Sequence, residues 1–116
     1  MLVLNAFSLN MIATSTGQLA WHEVTLAEAQ ALVAAGLTSA VGHASTAAVF
    51  GQQLGTTVPA ERATVALTPG DRALVGQYRG PRLEEGVTTL PARASIVWYL
   101  IELLDVSQET STLYGL

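Results

Sequence analysis

Residues 37–55 read LTSAVGHASTAAVFGQQLG, and the way this stretch divides decides the fold. LTSAVGH (37–43) follows Gly36 and is too short for a helix, so the pattern predicts a buried strand. STAAVFGQQLG (45–55) turns Val49, Phe50 and Leu54 to one side and reaches a glycine at Gly55. It predicts a helix capped by Ser45 or Thr46 and ended by that glycine. A strand running directly into a helix is the unit from which α/β sheets are assembled.

The flanking sequence extends the same alternation. Upstream, LVLNAF (2–7) reads as a strand and LAWHEV (19–24) as a second, with Leu19, Trp21 and Glu23 on one face. Thr25 then predicts an N-cap with Glu28 as its capping-box partner. LAEAQALVAAG (26–36) places Leu26, Ala29, Leu32 and Val33 on one stripe and stops at Gly36. Downstream, ATVALTPGD (63–71) predicts a strand running into a Pro69-Gly70 turn. RALVGQYRG (72–80) predicts a strand leading to a loop through Pro81, and SIVWYLIEL (95–103) a last, central strand. The succession β-β-α-β-α-β-β-β implies a single α/β domain over residues 1–116, with a mixed sheet of five or six strands flanked by helices.

Composition narrows the functions. Half of the 116 residues are apolar and only 12% are charged, which suits a globular domain that covers part of its surface with a second copy. There is no cysteine, so disulfides and thiolate chemistry are excluded and a cytoplasmic setting is expected. The two histidines, His22 and His43, are poorly spaced for a metal site, and no metal or other cofactor is expected. The first 22 residues lack side-chain charge, yet polar residues such as Asn5, Ser8 and Asn10 interrupt them too often for a membrane span. A net charge of −4 argues against binding duplex nucleic acid. All five cations are arginines between Arg62 and Arg93, where only Asp71, Glu84 and Glu85 oppose them. Arginine forks suit phosphate, although a genome that favours arginine codons also explains the missing lysines.

Three stretches carry residues able to do chemistry. His43 is expected at a strand end, against the first amide groups of a helix, where anions are favoured. An imidazole there either bonds the helix backbone, the commoner use, or donates a proton to an oxygen leaving phosphorus. GPRLEEG (80–86) sets Arg82 three residues before Glu85, which serves either as a surface ion pair or as a phosphate clamp that orients a hydroxyl. LNAFSLNM (4–11) offers Asn5, Ser8 and Asn10, whose short side chains either shape a turn or bind ribose and base edges. His22 is read as structural or exposed and Glu84 as solvated. Nucleophile-elbow, Walker and dinucleotide motifs are absent. One His, one Arg, one Glu and several hydroxyls suit metal-free RNA cleavage, in which the 2′-hydroxyl is itself the nucleophile.

Taken together, LNAFSLNM, GHASTA (42–47), VPAERATVALTPGD (58–71), GPRLEEG and the last apolar strand resemble the anti-CRISPR ring nucleases. These are small dimeric α/β proteins of archaeal and bacterial viruses and plasmids, with cellular members. The resemblance covers almost the whole chain in order. It implies a homodimer, in the cytoplasm of the cell or of a viral host, that binds cyclic tetra-adenylate between subunits. It further implies cleavage to linear di-adenylates ending in a 2′,3′-cyclic phosphate, which switches off type III CRISPR signalling. The family's catalytic residues fall on His43 as general acid, Arg82 and Glu85. Its binding residues fall on Asn5, Ser8 and Arg62, with Gly42, Ser45 and Thr46 as further contacts. Glu84 stands where relatives often have proline. The alternatives are a module that sequesters the nucleotide without cutting it, and a protein-interaction module.

Overall fold

The computed structural model of the chain describes residues 1–105. In chain order its elements are β1 (Leu2–Leu4), a 3₁₀ turn (Leu9–Met11), β2 (Leu19–Val24), α1 (Leu26–Val33), β3 (Thr38–Ser39), α2 (Ala44–Leu54), β4 (Arg72–Arg79) and β5 (Ser95–Leu103). The strands form one mixed sheet in the order β2-β5-β4-β1-β3. β1 runs parallel to both β3 and β4, whereas β5 is antiparallel to β4 and β2. The carboxyl ends of β1, β3 and β4 therefore share one edge of the sheet.

Both helices cover the same face. Ala29 and Val33 of α1 and Ala47, Phe50 and Leu54 of α2 pack with Val3, Val24, Leu74 and Trp98. The other face is covered by loops: Phe7, Met11, Ile12 and Val65 pack with Leu4, Ala73, Val75, Ile101 and Leu103. The helix-covered core closes on an aromatic pair, Phe50 and Trp98, with ring centroids 4.9 Å apart and planes at 61°. Gly76 leaves room for it. A Cβ there would lie 2.6 Å from Phe50 Cζ and 2.6 Å from Trp98 Cζ3.

Local signals in the sequence match much of this. β2 and β5 occupy their expected residues, and β4 ends one residue early. α1 begins with the expected capping box: Glu28 N–H donates to Thr25 Oγ1 at 3.1 Å, and Thr25 N–H to Glu28 Oε1 at 3.0 Å. Gly55 ends α2 at φ 74°. Thr68-Pro69-Gly70-Asp71 makes the expected reversal, with Asp71 N–H donating to the Thr68 carbonyl and Gly70 at φ 96°, a type II geometry.

Three expectations are corrected. Residues 63–71 are not a strand; only Leu67 bridges to Ile12, and its backbone bonds Met11 and Ala13. β3 is confined to two residues because the Val41 N–H turns to Ser39 Oγ, which itself donates to the Pro59 carbonyl, while Val41 bridges to Ala60. The strand expected over 2–7 stops at Leu4, after which the chain leaves the sheet toward the 3₁₀ turn. β5 lies inside the sheet between β2 and β4, as its apolar run predicts.

Two outcomes test this packing. Gly76→Ala should destabilise the chain by about 1–3 kcal/mol, read as a lower urea midpoint, because the methyl must displace two ring edges. The Thr25 amide, by donating to Glu28, holds its carboxyl below the ordinary glutamate range. A depressed carboxylate contributes stability above its unfolded-state pKa and loses it as pH falls through the folded one. The stability advantage of wild type over Glu28→Gln should therefore be full at neutral pH and vanish in acid, as followed by urea melts across pH.

Candidate functional site

The carboxyl edge of β1, β3 and β4 collects the residues singled out by sequence. Asn5 follows β1 directly, His43 lies between β3 and α2, and Arg82 and Glu85 lie in the loop after β4. In open α/β sheets this is the edge at which ligands bind. One local contact and two tertiary ones draw the pieces together.

The first is the start of α2. Its N-cap is His43, not Ser45 or Thr46. The imidazole Nδ1 accepts the Thr46 N–H at 3.3 Å and lies 3.2 Å from Thr46 Oγ1. The ring thus performs the backbone role that short polar side chains usually fill at this position. It is nevertheless exposed to solvent.

The second contact ties the β4 loop to that helix. Ser45 is 4% exposed, and its hydroxyl donates to the Glu84 carbonyl at 2.8 Å. Leu83, the residue before Glu84, is buried. The backbone of RLEE is thereby held against the first turn of α2, while the side chains of Arg82, Glu84 and Glu85 remain exposed. The Ser45 hydroxyl faces this loop rather than open solvent. Glu84 contributes an anchor through its carbonyl, a role invisible in a sequence that marks only its carboxylate.

The third contact is at Gly42. Arg62 Cγ passes 2.9 Å from where a Cβ at Gly42 would be, so glycine is what lets the arginine lie across the strand-helix junction. The Glu61 N–H, bonded to the Val41 carbonyl at 2.9 Å, fixes that crossing. Arg62 is brought beside the His43 junction although 18 residues separate them in sequence.

Asn5 and Ser8 are both exposed, and Ser8 precedes the 3₁₀ turn without capping it by its side chain. Asn5 also borders a concavity of about 510 Å³ on the loop-covered face, with Trp21, Val75, Gln77 and Tyr99 along it. Trp21 is 67% exposed there. Sequence reading did not mark this concavity, because the residues come from four separated segments. His22, on the neighbouring position of β2, is exposed and away from these contacts. Among the described residues, no cluster of three or more His, Asp or Glu side chains is arranged to hold a metal ion. No helix among them is long and apolar enough to cross a membrane.

No curated protein matches the chain. Among solved structures, B116 of Sulfolobus turreted icosahedral virus is similar, with a TM-score of 0.71 and 24% sequence identity over 87% of this chain and 97% of that one. At that identity the likeness speaks for the fold. The sequence model of the STIV B116-like proteins matches residues 1–94, most of the sheet and the whole carboxyl edge included. The chain belongs to the STIV B116-like family.

Proposed function

We propose that the chain is a metal-independent ring nuclease that binds cyclic tetra-adenylate between two copies of itself and cleaves it to linear di-adenylates. The observation that carries this reading is the convergence at one sheet edge: the α2 start with His43, and the Arg82–Glu85 loop pinned to it by the Ser45–Glu84 bond. Exposed Arg82 supplies a fork for a non-bridging phosphate oxygen, and Arg62 adds positive charge at the junction. Glu85 orients the ribose 2′-hydroxyl. As O2′ bonds to phosphorus its proton leaves to water, the P–O5′ bond breaks, and His43 gives a proton to O5′, leaving a 2′,3′-cyclic phosphate. Asn5 and Ser8, both exposed, meet ribose or base edges in this reading.

A dimer suits the ligand and the surface. A ring of four nucleotides offers two equivalent halves to a two-fold axis, so each copy presents one His43 to one phosphodiester. The concavity bearing exposed Trp21 reaches to Asn5 and offers apolar surface for a second copy beside the site. The acidic net charge is no obstacle, since the ligand needs only local positive charge.

Incubated with cyclic tetra-adenylate in EDTA, the wild-type chain should give linear di-adenylates. His43→Asn keeps a good N-cap but has no proton to give, and should turn over about 100-fold more slowly or worse. Absence of product from wild type would refute the nuclease reading, and binding without cleavage would favour a sequestering module. Ser45→Ala should free the β4 loop, seen as faster trypsin cleavage after Arg82 and a stability loss of about 1 kcal/mol.

A further inference from the structure

The partners of His43 Nδ1 determine which form its ring takes. A backbone N–H can only donate, so the 3.3 Å contact from Thr46 N–H requires Nδ1 to be a bare acceptor. The neutral ring therefore carries its proton on Nε2, and the 3.2 Å contact from Thr46 Oγ1 to the same Nδ1 is a hydroxyl donating. The two groups differ once the ring gains a second proton. Nδ1 then becomes a donor, which the amide cannot accept, whereas the Thr46 hydroxyl rotates and accepts it. One side chain can thus follow the ring through both protonation states and keep Nε2 turned outward in each.

We propose that Thr46 is a positioning residue for His43: its hydroxyl holds the imidazole on Nδ1 so that Nε2 is the nitrogen that meets the substrate. This rests on the nuclease reading for its effect on turnover, but not for its effect on the ring. It also gives Thr46 a different task from contacting the ligand, since its hydroxyl is already within bonding distance of His43. Ser45, one residue earlier, cannot share the task, because its hydroxyl is committed to the Glu84 carbonyl.

The test compares Thr46→Val, which keeps the shape and loses the hydroxyl, with Thr46→Ser, which keeps it; far-ultraviolet circular dichroism verifies the fold of both. With cyclic tetra-adenylate as substrate, Thr46→Val should lower kcat about tenfold with KM nearly unchanged, and Thr46→Ser should restore most of it. An unchanged kcat in Thr46→Val, or a raised KM alone, overturns the proposal, the latter because it marks a ligand contact. Long-range ¹H–¹⁵N spectra of the free protein read the ring directly, with His22→Gln assigning the signals. Wild type, with two donors to Nδ1, should show the Nε2–H form, and Thr46→Val, which keeps only the weaker amide donor, a larger share of Nδ1–H. A wild-type ring protonated on Nδ1 alone, or a spectrum unmoved by Thr46→Val, contradicts the positioning role. Should wild type prove inert on the nucleotide, the nuclease reading falls while these spectra still decide whether Thr46 orients His43.

Discussion

The edge-on contact of Phe50 with Trp98 over Gly76 is the constraint on which the rest of the molecule depends. Phe50 lies in the middle of α2 and Trp98 in the middle of β5, and only a glycine on β4 leaves space for both rings. Their packing sets the height and the lengthwise position of α2 on the sheet. Because α2 begins at Ala44, that position determines where His43 stands relative to the strand ends. A contact deep in the core thereby fixes the location of an exposed imidazole.

Around that imidazole the site is assembled by backbone partners more than by charge pairs. Nδ1 of His43 takes an amide, Ser45 takes a carbonyl, and Arg62 lies against a glycine. The loop hydrogen bonds hold segments, while the charged ends of Arg82 and Glu85 stay in solvent, available to a ligand. Such an arrangement suits a small polyanion, since the exposed Arg82 fork is open to a phosphate.

The sequence made legible those features that depend on neighbours along the chain. The α1 capping box needs only Thr25 and Glu28, the αL end of α2 needs only Gly55, and the type II turn needs only Pro69-Gly70. The alternating runs of β2, β4 and β5 were equally plain. What was not legible depends on distant partners. Residues 63–71 have strand composition, but β1 is already paired on both sides and β4 has β5, so the segment packs under the sheet instead. β3 is cut short by Ser39 and Pro59, 20 residues apart, and Glu84 matters through a carbonyl that no sequence motif records. The N-cap of α2 was missed for a different reason: Ser45 and Thr46 are the better cappers by type, yet Ser45 is drawn inward to Glu84, leaving His43 in the capping position. The concavity by Trp21 was hidden because it exists only once four segments meet.

In the function proposed, the carboxyl edge of β1, β3 and β4, doubled by a second copy, forms one nucleotide site. Calorimetric titration of His43→Asn with cyclic tetra-adenylate tests it most directly, since that variant is expected to bind without consuming the ligand. Saturable binding of one ring per two chains is expected. Absence of binding, or one ring bound to each separate chain, would contradict it.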